Sequence, residues 1–185
     1  FLKREITRGS RFILIAGGGA PARNFQQAAG SMMHVEDVDK DWLGIHATRL
    51  NAHLLRTIFK HCAHPVLLKR RGRVKSFEGH KVIVGAGWHP GSSTDFVAVQ
   101  TAIDFGAKQV INLGHPDYVY NKDHRKHKDA KPFTHLRWDE YLKLIPRKWS
   151  PGMHAPVDPV AARLASREDI GVIVAHGMDL KNLRN

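Results

Sequence analysis

Short strand-like runs recur along this chain, and stretches of helical periodicity separate them. The runs are Phe12–Ile15, Val66–Leu68, Lys81–Val84, Gln109–Leu113 and Val172–Ala175. Phe12–Ile15 has no polar alternation, as expected of a strand covered on both faces of a parallel sheet, where neither side meets water, and Gln109–Leu113 reads as the next buried strand. Phe1–Arg8 reads as the end of a helix and Pro21 or Ala22 to Ala29 as a second one, with proline accepted in the first turn. Asp41–Ile45 reads as a connector. Thr48–Cys62 is the strongest helical pattern, placing Leu50, Leu54, Leu55, Ile58 and Phe59 on one face. Asp95–Phe105, Trp138–Leu144 and a segment from Asp158–Pro159 to Ala165 complete the helices, while the stretch from Pro151 to Pro156 is expected to be irregular. Alternating strands and helices imply an α/β fold with a mainly parallel sheet sandwiched by helices. With no repeat or linker in view, residues 1–185 are expected to form a single domain.

At 185 residues the chain is long enough for a sizeable core without disulfide or metal staples. Its apolar stretches of about half a dozen residues fall far short of the roughly 20 that a membrane-spanning helix needs. One cysteine, Cys62, cannot form an intramolecular disulfide framework, so a cytoplasmic setting is expected, with no membrane partner. The 29 Lys and Arg outnumber the 17 Asp and Glu, giving a net charge of +12 and pointing to anionic partners. The basic runs Lys69–Lys75 and His124–Lys128 suit electrostatic contact with nucleic acid, although solvated loops are the favoured reading. His61-Cys62-Ala63-His64 and the His124/His127 pair hold potential zinc ligands but complete no four-ligand pattern, so no metal site is expected.

In open α/β sheets ligands collect at the carboxyl ends of strands, and three loops carry unusual residues there. Gly17-Gly18-Gly19 with Arg23 one turn on suits a phosphate: glycine N–H groups and a helix N-terminus form an anion nest, and arginine forks onto phosphate oxygens. A tight turn would need the same glycines. Trp88–Asp95 offers Ser92, Ser93 and Thr94 to a phosphate or a ribose, or as helix caps. Asp117, Tyr118, Tyr120 and Asp123 set aromatics beside carboxylates, an arrangement suited to a base and a Mg²⁺-bound triphosphate, or to a surface turn.

These loops, in this order, resemble the uridylate (UMP) kinases of the amino acid kinase superfamily, in particular the archaeal-type subgroup. FILIAGGGAPARNFQQAA (12–29) is similar to the family's strand-GGGK-x-AR-helix segment. Asp41–Ile45 with Thr48–Ala52 is similar to D-x-x-GI and TRxNA, GWHPGSSTD (87–95) to G-x-x-PG-x-[ST]-TD, DYVYNKD (117–123) to DGVYxxDP, and DPVAA (158–162) to DPLAAK. The resemblance implies an amino acid kinase-like fold and transfer of the γ-phosphoryl group of ATP, with Mg²⁺, to UMP. It further implies a UMP side over roughly 1–110 and an ATP side over roughly 111–185. Gly18, Gly19 and Arg23 would hold the UMP phosphate, Asp41 the ribose, and Ser92, Ser93 and Thr94 the uracil and acceptor phosphate. Asp117, Tyr120 and Asp123 would receive ATP, with Asp95 and Asp158 as the catalytic carboxylates. A homo-oligomer, a hexamer built from dimers, is implied in the same way.

The departures are local. Ala20 stands where the GGGK lysine is usual, Tyr118 and His124 replace the glycine and proline of DGVYxxDP, and Arg163 replaces the lysine of DPLAAK. The family's first strand, with a lysine and a GGS turn, has no counterpart after Phe1. That strand is expected upstream of this sequence, the alternative being a nucleotide-binding or RNA-associated homologue without turnover.

Overall fold

The computed structural model describes residues 1–114, 116–123, 125–148, 155–179 and 181–184. His124 and most of the expected irregular stretch before Pro156 lie outside them. The chain forms two compact units, Leu2–Val97 and the part beginning at Ala98, to which Phe1 also belongs.

In the first unit, α1 (Leu2–Thr7) leads to β1 (Phe12–Ile15), α2 (Gly19–Met32), α3 (Asp37–Ile58) and β2 (Val82–Gly85). β1 and β2 pair in parallel, Phe12 opposite Val82 and Ile15 opposite Gly85. Val82, Ile83 and Val84 are fully buried, whereas β1, the strand expected to be covered on both faces, is half-buried. A cluster of Ala16, Ala52, Phe59, Ala63, Leu67, Val82, Val84 and Ala86 forms the core, with Leu14 and Leu55 packed against it.

The expected strand at Val66–Leu68 does not form. Residues 63–68 pair with β2 at two isolated bridges, Ala63 to Val82 and Leu68 to Gly85. Pro65 has no N–H to give, and the Val66 N–H is taken by His64 Nδ1 at 3.0 Å. The ladder is therefore broken between the bridges. The expected connector Asp41–Ile45 is helical, since α3 starts at Asp37, with Asp37 and Asp39 in the first turn favouring its N-terminal dipole.

The apolar positions of α3 divide into two stripes. Ile45, Thr48, Ala52 and Phe59 are buried and Leu55 packs on the core, while Leu50, Leu54 and Ile58 are 64%, 61% and 49% exposed. Leu50, Leu54 and Ile58 advance by four residues at a time and stay together on the other side of the helix, so the single stripe expected from sequence is two.

The division between the units falls within α4 (Thr94–Asp104). In the second unit, β3 (Gln109–Gly114) pairs in parallel with β6 (Gly171–His176), Gln109 opposite Gly171. Ile111, Leu113 and Ile173 are about half exposed, so β3 is not the buried strand expected. A short antiparallel pair, β4 (Val119–Tyr120) and β5 (Pro132–Phe133), brackets the basic loop, and α5 (Trp138–Leu144) and α6 (Pro159–Arg167) pack together. Tyr141 OH donates to Val157 O at 2.6 Å and accepts from Val157 N at 2.8 Å, tying α5 to the approach to α6. Among the described residues no helix is long and apolar enough to cross a membrane, and no group of three His, Cys, Asp or Glu side chains stands ready for a metal.

Candidate active site

Parallel pairing brings the carboxyl ends of β1 and β2 side by side. The Ala16 N–H donates to Gly85 O at 2.9 Å, so the glycine turn after β1 and the hydroxyl-rich loop after β2 leave the sheet together. Gly18 adopts φ −75°, ψ −35° and Gly19 has φ +60°. That succession of right- and left-handed residues turns consecutive N–H groups toward one point and forms an anion nest. Gly19 is in a region that side chains disfavour. At Gly18 a Cβ would lie 2.6 Å from the Ala22 Cβ, so the close packing of the turn on α2 excludes one. Arg23 lies one turn into α2, exposed, with no described hydrogen bond or ion pair.

The loop after β2 closes onto the same turn. A Cβ on Gly17 would be 3.9 Å from Thr94 Oγ1. Ser93 Oγ accepts the Phe96 N–H at 3.0 Å and so caps α4, which leaves Ser93 with a structural duty as well as any binding one. Ser92 Oγ is buried without a hydrogen-bond partner, the kind of orphan that points to a missing acceptor or donor. Asp95 stands in the first turn of α4, half-buried.

α3 holds these segments from below with three polar side chains. Asp41 Oδ2 accepts the Gly91 N–H at 2.8 Å. Thr48 Oγ1 accepts the Gly87 N–H at 2.9 Å and donates to Ile45 O at 2.7 Å. Asn51 Nδ2 donates to Gly17 O at 2.7 Å and Gly18 O at 3.2 Å. Partial burial pushes the Asp41 carboxyl above the usual range; the Gly91 N–H opposes this, and the neighbouring Asp37 charge adds to it. Reading the sequence gave Asp41 a role but none to Thr48 or Asn51. The signal was present: two polar residues among the apolar positions of an otherwise core-facing helical stripe.

The residues expected on the ATP side are all in the second unit. Asp117 is exposed, and Tyr118 and Tyr120 meet edge to face with ring centroids 6.4 Å apart. Asp123 accepts from Arg125 N at 3.0 Å and Nε at 3.1 Å, and the Arg125 guanidinium holds its carboxyl below the ordinary carboxylate range. Asp158 is 5% exposed and caps α6, its Oδ1 accepting from Val160 N at 2.7 Å and Ala161 N at 3.1 Å. Arg163 is exposed on α6 and donates to Arg147 O at 3.0 Å.

The model of the amino acid kinase family matches residues 2–176. The chain belongs to the amino acid kinase family. A uridylate kinase of Sulfurisphaera tokodaii is 32% identical over 176 residues, covering 94% of this chain and 77% of that protein. The crystal structure of a uridylate kinase from Archaeoglobus fulgidus superposes with a TM-score of 0.81 at 26% identity, over 95% of this chain and 79% of that one. An aspartate kinase from Synechocystis shares the fold alone, with a TM-score of 0.74 at 17% identity over 97% of this chain and 34% of that one. As an amino acid kinase family member, the chain has its glycine nest and hydroxyl loop at adjacent strand ends, where open α/β sheets bind their ligands.

Proposed function

We propose that this amino acid kinase family member is a UMP kinase, taking Mg·ATP and UMP to ADP and UDP. The observation that carries the reading is the Gly18–Gly19 nest with Arg23 a turn away and Thr94 beside Gly17, in a chain 32% identical to a uridylate kinase. Gly18, Gly19 and Arg23 hold the UMP phosphate. Asp41 offers its second carboxylate oxygen to a ribose hydroxyl, and Ser92, Ser93 and Thr94 border the base and phosphate. In the reaction a UMP phosphate oxygen bonds to the γ-phosphorus as the bond to the β–γ bridging oxygen breaks and ADP leaves. The attacking oxygen is already anionic, so positioning and charge neutralisation dominate and no protein base is required.

Tyr120 supplies an aromatic edge for adenine, and Asp117 and Asp123 lie toward the triphosphate. Asp123, kept ionised by Arg125, is a hard oxygen donor of the type that Mg²⁺ accepts, and the ion arrives with the nucleotide. Asp95 acts near the transferring group, and Asp158 sets the start of α6. We place the enzyme in the cytoplasm as a homo-oligomer, a hexamer built from dimers through the exposed Leu50, Leu54 and Ile58 stripe of α3. A coupled assay of UDP formation tests the function: UMP is phosphorylated at least about tenfold better than CMP or AMP, a difference of about 1.4 kcal/mol. Equal rates, or phosphorylation of an amino acid instead, would remove the assignment.

A further inference from the structure

The hydrogen bonds of Asn51 have a consequence for the nest. In a trans peptide unit the C=O of one residue and the N–H of the next point in opposite directions. Asn51 Nδ2 engages the carbonyls of Gly17 at 2.7 Å and Gly18 at 3.2 Å, so it fixes the peptide units whose other ends are the N–H groups of Gly18 and Gly19. Those are the N–H groups of the nest, at glycines whose backbone has the widest freedom of any residue to turn elsewhere. The Gly18 carbonyl is held a second time by the Ala22 N–H at 3.3 Å, while the Gly17 carbonyl has Asn51 as its described partner. Asn51 is itself rigidly placed: the next residue, Ala52, is fully buried in the core, and Thr48, one turn earlier on α3, is tied to Gly87.

We infer that Asn51 is a positioning residue for the acceptor phosphate: by holding the Gly17 and Gly18 carbonyls from α3 it aims the Gly18 and Gly19 N–H groups at the anion. It touches neither nucleotide. This rests on the reading of the nest as the UMP phosphate site. The inference separates the phosphate from the nucleoside, because loss of the tether disorganises the nest and leaves the ribose and base contacts in place.

The test is calorimetric titration of the chain with UMP and with uridine, for wild type, Asn51→Ala, Asn51→Leu and Arg23→Lys. Asn51→Leu keeps the volume and removes the donor without adding a charge beside the phosphate, so it reads the same effect even if the alanine variant does not fold. Both Asn51 variants are expected to bind UMP about tenfold more weakly, with uridine affinity held within about twofold. An equal loss for UMP and uridine would show Asn51 to be ordinary packing and overturn the inference, as would unchanged UMP affinity. If Arg23→Lys weakens UMP while the Asn51 variants do not, the phosphate site stands and the role of Asn51 falls. A wild-type chain that shows no preference for UMP over uridine overturns both.

Discussion

The carboxylate of Asp41 on α3 accepts the N–H of Gly91 at 2.8 Å, joining residues 50 positions apart and fixing the hydroxyl loop to the helix beneath it. The same contact makes Asp41 sensitive to pH. Burial, and more weakly Asp37, raise its carboxyl above the ordinary value against the lowering effect of Gly91. A carboxyl raised in the folded state binds more protons there than in the unfolded chain. Stability therefore falls as pH rises from the unfolded value through the folded one, and the cost is complete at neutral pH. Asp41→Asn keeps an acceptor for Gly91 without the charge. It should melt higher than wild type at pH 7, with the gap closing toward acid pH, while its KM for UMP rises. A gap that widens in acid would contradict the argument.

Arg23 and Asp95 should fail in different ways. A lysine ammonium cannot reproduce the guanidinium fork, so Arg23→Lys should raise the KM for UMP about tenfold, about 1.4 kcal/mol, and leave the KM for ATP near its original value. Asp95→Asn should act mainly on kcat. Steady-state kinetics with each substrate varied separate the two, and an unchanged KM for UMP in the arginine variant would reduce Arg23 to a surface residue.

The exposed α3 stripe predicts self-association. Leu54, 61% exposed, contributes little to the core of its own chain, so Leu54→Lys should dissociate the oligomer with little change in the melting temperature of the chain. Sedimentation velocity on both proteins checks this. A wild-type monomer at micromolar concentration would contradict it.

Tyr141 is 4% exposed, and its hydroxyl serves both the N–H and the C=O of Val157. Tyr141→Phe leaves two buried backbone groups unpaired and should cost about 2 kcal/mol of stability. Urea denaturation followed by circular dichroism measures it, and a loss below about 0.5 kcal/mol would mean that water reaches Val157.

The elements that were legible in the sequence are those whose signal is local. Phe12–Ile15 runs into three glycines, and Asp158–Pro159 supplies a capping carboxylate and a proline at N1. Both sites formed as read, because a cap or a glycine turn is decided within a few residues. The candidates Gly18, Gly19 and Ser92 to Asp95 were legible as motif positions at the ends of β1 and β2, since loops after parallel strands are where glycine and hydroxyl residues otherwise have little reason to gather. Three matters depended on tertiary contacts. The Val66–Leu68 segment has strand composition but spends the Val66 N–H on His64, a choice its apolar pattern does not record. The α3 periodicity merges a core stripe with an exposed one, since hydrophobicity alone does not say which side of a helix the sheet will cover. Asn51 and Thr48 stand out in sequence only as polar residues within a core-facing stripe. Which groups they serve was decided by folding, which sets them against the Gly17, Gly18 and Gly87 backbone, up to 39 positions away, and the order of the side chains does not record the partner of a backbone hydrogen bond over that distance.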